Sequence, residues 1–392
     1  MTAAVKAHGM DGRLEEPDWA PLTMQEVRAL LILFPDCGEP FEILRASPRP
    51  FSAAAVVTTA LGQRFIKRQH RSVRDREGLL EEHRFVEHLH ARGAVVPRVF
   101  ANAQGETVIE RGEWTYEVHD APECRDLYGD ASSWTPFQTA AHARSAGQAL
   151  AKLHLAAEGF DAPQRKPRPL VASFTIFAAA NPDAELMHYL AARPALASHP
   201  AVRSHAEEAM ELLAPFYAEL SPLLPALAPL WTHNDLHASN LLWSDEGDNA
   251  SATAIIDFGL ADRTNAVHDL AHAIERNIME WLVLVEYPES PEKVPFHLDH
   301  LHAMLDGYES VRPLSIEEAA ALAPMVAICH TEFGLSESDY FLGVLHSEEK
   351  ARMAYDGWLV GHARWFRSAT GQRLLNVLRH WASRRLVTRG GP

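Results

Sequence analysis

Cysteine is scarce in this chain: Cys37, Cys124 and Cys329 are the only three in 392 residues. They are far apart, odd in number and outside any metal-ligand spacing, which argues against a disulfide framework and suits a reducing compartment. Long apolar runs are lacking too. Stretches such as 30–35 and 281–285 are too short to cross a bilayer, and residues 1–19 carry no basic-then-apolar leader pattern. The expectation is a soluble cytoplasmic protein with no membrane partner. Positive charge is in deficit: 36 Lys and Arg against 52 Asp and Glu leave a formal net charge of −16. A nucleic-acid surface needs a basic stripe to meet phosphates, so no nucleic-acid partner is expected. Internal repeats and low-complexity tracts are also missing. What the chain does have is length and apolar material. Its 392 residues, 47% of them hydrophobic, exceed the usual size of one hydrophobic core, so two lobes are expected.

Residues 1–22 read as a loose N-terminal extension. Thr23, with Glu26 three positions on, completes a capping box for a short helix carrying Val27, Leu30 and Leu31. The texture then becomes strand-like: 53–60 is small and β-branched, Leu61-Gly62 turns, and 63–68 alternates. A helix is predicted from about 74 to 92, stopped by Gly93 and Pro97. Segments 107–110 and 115–118 flank Arg111-Gly112 as a hairpin. Residues 140–157 place apolar side chains at helical spacing. Helical patterns return at 184–192, at 204–220 and beyond Asp269, with Pro-rich breaks at 222–229 and 288–295. The division is a strand-rich lobe over 23–120 with one inserted helix, and a mostly helical lobe over 121–392, hinged near 119–126.

Chemistry concentrates in two runs. The first, 231–243, holds Asp235 with Asn240 five positions later; the second, 254–259, is a short apolar strand ending in Asp257-Phe258-Gly259. Between them, 244–251 is built of Asp, Gly, Asn and Ser and reads as a turn. A hairpin follows, and it returns Asp257 to the neighbourhood of Asn240 and Asp235. Phosphoryl transfer needs such a gathering, because it depends on in-line positioning and on neutralising phosphate charge. A magnesium ion prefers oxygen ligands, which Asn240 and Asp257 supply. Asp235 is then left to accept the proton of a substrate hydroxyl or to hold that hydroxyl in line.

His-x-Asp, an Asn five residues on and Asp-Phe-Gly resemble the protein-kinase catalytic set. The form His233-Asn234-Asp235-Leu236-His237 is more similar to the aminoglycoside phosphotransferase and choline kinase family of small-molecule kinases. That resemblance implies a two-lobed, protein-kinase-like α+β fold, with an antiparallel sheet and one helix in the first lobe. It implies ATP and Mg2+ as cofactors, Asp235 as catalytic base, and Asn240 and Asp257 as metal ligands. Asp269-Leu270-Ala271 matches the family's Asp-Leu-Ala, which braces the catalytic loop, and Leu150 to His154 resembles the helix preceding that loop. His233 and His237 are supporting residues.

The resemblance also calls for a phosphate-binding lysine and a glutamate to orient it. Lys67 is the lysine. Glu82 lies on the apolar stripe of the following helix with Leu79, Val86 and Leu89, where a carboxylate needs a partner. Lys67 with Glu82 is the expected pair; Arg68 and Glu81 are the alternative members. Residues 118–122 would contact adenine. A Gly-rich phosphate loop is absent, since 46–53 reads Ala-Ser-Pro-Arg-Pro-Phe-Ser-Ala; Ser47, Arg49 and Ser52 are the candidates there. No Ala-Pro-Glu follows Gly259, which speaks against a protein substrate. Glu275 and Glu280, with Asp306, are where the family tends to contact its acceptor, and a cationic acceptor would want carboxylates. The clustered His297, Asp299, His300 and His302 read as a polar helix face. The function expected is transfer of the ATP γ-phosphate to a hydroxyl of a small polar molecule: an aminoglycoside or other antibiotic, an amino alcohol or a sugar. A nucleotide-binding pseudokinase is the competing reading, opposed by the intact set Lys67, Asp235, Asn240 and Asp257.

Overall fold

The computed structural model describes residues 6–389. Residues 1–5 of the expected extension lie outside the described residues. The rest of that extension is packed, which corrects the loose segment expected. β1 (Ala7–His8) and β2 (Leu14–Glu15) pair antiparallel. Trp19 stacks on His70, and its indole N–H donates to the Tyr340 hydroxyl. Lys350 ion-pairs with Glu15 and Asp18. The segment therefore touches both halves of the molecule through partners remote in sequence, which local pattern does not disclose.

α1 (Met24–Leu31) starts at Thr23, whose side chain accepts from the Glu26 N–H while the Glu26 carboxylate accepts from the Thr23 N–H. β3 (Pro40–Ala46), β4 (Ala53–Thr59), β5 (Gly62–His70), β6 (Ile109–Arg111) and β7 (Trp114–Asp120) form a five-stranded antiparallel sheet in the order β3-β4-β5-β7-β6. Strand alternation turns Val57, Ile66 and Val118 toward α1, where they share a core with Val27, Leu30 and Leu31. Lys67, paired in register with Ala54 and Glu117, is thereby sent to the opposite face of the sheet. α2 (Arg76–Ala91) is capped by Asp75 and buries Phe85, Val86 and Leu89 in the main core.

The second half opens with α3 (Ala140–Ala157), α4 (Pro182–Ala191), α5 (Pro194–Ala197) and α6 (Pro200–Leu220). β8 (Pro229–Thr232), β9 (Leu241–Trp243), β10 (Ala252–Ile255) and β11 (Asp262–Asn265) make two small antiparallel ribbons, β9 with β10 and β8 with β11. α7 (Ala266–Ile278) follows, then the helices Leu298–Glu309, Ile316–Ile328 and His330–Gly343 and a π-helical turn at Met353–Val360. α3 crosses Leu298–Glu309 at two glycines, Gly147 over the backbone of Met304 and Gly307 over that of Arg144. A Cβ at either position would collide with backbone, so the close approach requires glycine. The stretch Ile316–Gly343 has the length and apolarity to cross a bilayer, yet 94% of its window is buried inside this fold. The architecture is the two-lobed α+β arrangement expected: sheet and helix first, helices after.

Candidate active site

The loop from β8 to β9 carries Asp235, and its shape is imposed by hydrogen bonds from beneath. Asp269, near the start of α7, accepts from the backbone N–H of His233 (2.8 Å) and of Asn234 (2.7 Å). Its carboxylate is held by His154 Nε2 at 3.0 Å, and His154 Nδ1 bonds the Tyr308 hydroxyl at 2.7 Å. The glycine-permitted approach of α3 to Leu298–Glu309 makes that chain of contacts possible. Asn234 sits at φ 60°, a left-handed conformation uncommon for residues other than glycine. Its side-chain oxygen accepts from the Thr232 hydroxyl, and the braced peptide on either side holds the conformation. His233 Nε2 donates to the carbonyl of Ile256 and its Nδ1 accepts from the Asp235 N–H, tying the loop to the end of β10.

The β9–β10 hairpin then brings the second run alongside. Asn240 Nδ2 donates to the Asp235 carbonyl (2.9 Å) and to Asp235 Oδ2 (3.2 Å). Arg276, on α7, reaches Asp235 Oδ1 at 3.2 Å. Asp257 takes φ 59°, a second left-handed non-glycine residue, and its Oδ1 faces Lys67 Nζ at 2.9 Å. Strain of this kind persists only where surrounding structure over-determines it. Here β10 on one side and Lys67 on the other do so.

The electrostatics separate the two aspartates. Burial pushes Asp235 up to about 6, with Arg276 and His233 pulling the other way. Burial also opposes the charge on Asp257, but Lys67 prevails and its carboxyl lies below the ordinary range. His237 is held neutral, well below the usual imidazole value, by burial and by Arg49 and Arg276. It donates or accepts within the loop, with Nδ1 2.8 Å from the Ser239 hydroxyl and Nε2 3.8 Å from Asp235 Oδ2. One carboxyl near neutrality beside one firmly ionised is the pattern of a proton acceptor next to a cation site.

One expected pair is overturned. Lys67 does not bond Glu82. Glu82 is held by Arg74 Nε at 2.6 Å and Arg165 Nη2 at 2.7 Å, both nearly fully buried guanidiniums. Arg165 also donates to the carbonyls of Gly259 and Ala261, and Arg74 to those of Pro169, Leu170 and Gly259. Two guanidiniums satisfy the buried carboxylate where one ammonium was expected. The alternatives fail as well: Arg68 pairs with Glu26, and Glu81 with Arg165 and Arg168. Lys67 instead lies in the field of Asp257 first, then Glu117 and Glu82. Glu117 is bonded to His83 and His119.

Two cavities meet at these residues. One is lined by Val56, Val86 and Ile256 and by Asp120 to Pro122; the other is lined by Asp235, His237, Arg276 and Glu337. Arg49, Lys67, Asn240 and Asp257 line both. Arg49 is engaged by the second lobe, donating to the Ala131 carbonyl at 2.8 Å and to the Ser133 hydroxyl. The packed N-terminal segment contributes His8, Gly9 and Met10 to the second cavity. Three acceptor candidates lie elsewhere. Glu275 is buried against His330 and His362 and does not line the cavity around Asp235. Glu280 pairs with His297 at 2.8 Å, and Asp306 with Arg144. Arg276 and Glu337, which do line that cavity, were missed. Arg276 could have been found as the next position round the helix from Glu275; Glu337 had no local signal.

This fold and this site define a phosphotransferase of the protein-kinase-like class. Residues 47–314 match the phosphotransferase enzyme family (APH), and the chain belongs to that family. No curated protein sequence matches it. Among solved structures, it is similar to a microcompartment-associated aminopropanol kinase at 15% identity and TM-score 0.55, covering 90% of this chain and 100% of that one. It is also similar to amicoumacin kinase hAmiN bound to AMP-PNP, Ca2+ and Ami, at 13% identity and TM-score 0.53, covering 87% and 93%. A thermostable mutant of aminoglycoside phosphotransferase APH(4)-Ia with ADP and hygromycin B gives 14% identity and TM-score 0.52, covering 88% and 99%. At these identities the likeness is one of fold.

Proposed function

We propose that this phosphotransferase moves the γ-phosphate of ATP, with magnesium, to a hydroxyl of a small polar acceptor in the cytoplasm. The observation that carries the reading is the meeting of two cavities at Lys67, Asn240 and Asp257, with Asp235 on the second cavity's wall. The first cavity suits the nucleotide: its lining includes the apolar Val56, Val86 and Ile256 together with Asp120 to Pro122. The cavity around Asp235 suits the acceptor.

The donor set fits magnesium. Asp257 is ionised, and the amide nitrogen of Asn240 is engaged by Asp235, which leaves its oxygen to bind a cation. When bound, the ion would supply positive charge against the phosphates and hold them in line. Lys67 adds a fixed ammonium at the same junction. Asp235 receives the proton of the acceptor hydroxyl, and Arg276 and Asn240 fix the direction of its carboxylate. The Asp269 brace keeps that carboxylate from drifting.

Magnesium-dependent ATP turnover across amino alcohols, aminoglycosides and sugars tests the reading. Turnover with at least one acceptor, lost in Asp235→Asn, is the expected result. Absence of any ATP-induced thermal shift together with no phosphorylated acceptor would sink it.

A further inference from the structure

Behind the acceptor cavity lies a group of buried side chains that the phosphotransfer site does not use. Glu275 on α7, His330 at the head of His330–Gly343 and His362 just after the π-helical turn converge from three elements. All are almost fully buried, at 1%, 3% and 2% exposure. His362 Nδ1 lies 3.0 Å and His330 Nδ1 3.4 Å from the same oxygen, Glu275 Oε1. The two imidazole rings stand 4.1 Å apart. Glu275 Oε2 and both imidazole Nε2 atoms have no hydrogen-bond partner among the described residues, and the two Nδ1 atoms have only their shared contact with Oε1.

That is an expensive arrangement if left as it stands. A buried carboxylate oxygen and buried ring nitrogens without partners each carry a desolvation cost that ordinary cores avoid. Two histidines and one glutamate are also a well-known zinc ligand set. In a tetrahedral site with bonds near 2.1 Å, ligand atoms are separated by about 3.4 Å. One ligand atom from each of the three side chains falls within 4.8 Å of the others. The surroundings are those of a held site. Trp281 stacks on the His362 ring at 3.7 Å and donates its indole N–H to the Glu275 carbonyl, fixing ring and backbone together.

We infer that Glu275, His330 and His362 bind a structural transition-metal ion, zinc by ligand type. It would pin α7 to the two later elements and so hold Arg276, the next residue, against Asp235. Two other histidine and carboxylate groups are partnered differently. His83, Glu117 and His119 are bonded to one another beside Lys67; in the group His297, Asp299 and His300 only His300 is buried, Asp299 is exposed, and His297 is half-buried and taken by Glu280.

Full-length protein from zinc-supplemented cells, gel-filtered without chelator, is expected to carry about one zinc per chain by elemental analysis. His362→Ala and His330→Ala should lose it, while His297→Ala keeps it. Should the buried variants fail to fold, wild-type protein refolded in Co2+ supplies the second readout. It should show the visible absorption of four-coordinate cobalt, bleached by one equivalent of added zinc. Zinc-free wild-type protein that also stays colourless with cobalt overturns the site. So does zinc that survives His362→Ala and disappears with His297→Ala.

Discussion

Lys67 Nζ meets Asp257 Oδ1 at 2.9 Å, while Glu82, the carboxylate that family analogy assigns to it, is clasped by Arg74 and Arg165. The glutamate of α2 thus braces the turn after Asp257 through the two arginines, both of which bond the Gly259 carbonyl.

The two residues should therefore fail differently. Glu82→Gln removes the charge between two buried guanidiniums and is expected to cost about 3–5 kcal/mol in urea denaturation. Its KM for ATP should change little where it stays folded. Lys67→Ala should cost less stability, because the Asp257 side chain it leaves unpaired is 39% exposed, and should raise the KM for ATP while lowering kcat. A stable Glu82→Gln protein with a crippled ATP KM would instead mean that nucleotide rebuilds the Lys67–Glu82 pair.

The pH profile follows from Asp235. Its carboxyl, pushed up to about 6 by burial, must be ionised to accept a proton. As pH falls through about 6 the carboxylate is lost, so kcat/KM, which reports the free enzyme, should fall on the acid side with an apparent pKa near that value. Asp235→Asn should cost about 10²–10⁴-fold in kcat at neutral pH and abolish this limb in any residual rate. An acid limb unchanged in Asp235→Asn would assign the base elsewhere.

Asp269 is the residue on which the loop hangs. Asp269→Ala leaves the N–H groups of His233 and Asn234 and the ring of His154 without an acceptor. Each buried orphan costs about 1–3 kcal/mol, so a loss of at least about 3 kcal/mol is expected in thermal or urea unfolding. Where folded protein is obtained, kcat should fall more than the acceptor KM rises, because the displaced group is Asp235.

How much of this was readable from sequence depends on the range of the contact. Residues 231–271 announce themselves because the loop, the hairpin and Asp269 lie close together in the chain, and the Ser244–Ser251 turn has no other use. The helix at α2 and the hairpin at Arg111-Gly112 were legible for the same reason: cap, period and turn residue are local. The Lys67–Glu82 pair was misread because a buried carboxylate announces that it needs a cation without saying which. Arg165 lies in a Pro-rich loop that looked like plain connection. Trp19, Lys350 and Glu337 act only through partners distant in sequence, and the late helices carry no motif to number them by.

Glu337 gives the sharpest stability test. It is 2% exposed, lines the cavity around Asp235, and has no hydrogen-bond partner at Oε2 among the described residues. Burial pushes its carboxyl up to about 8, with Arg276 opposing and Asp235 adding to the rise. The folded chain therefore keeps a proton that the unfolded chain has already released. Wild-type stability should decline as pH rises from the ordinary glutamate value to about 8, and level off above it. Glu337→Gln removes that titration while keeping the shape of the side chain. The variant should match wild type near pH 4.5 and exceed it by about 2–4 kcal/mol near pH 9, by urea denaturation across the series. A difference that stays constant with pH would mean that Arg276 keeps Glu337 ionised throughout, and that the cavity wall is an ion pair before any acceptor arrives.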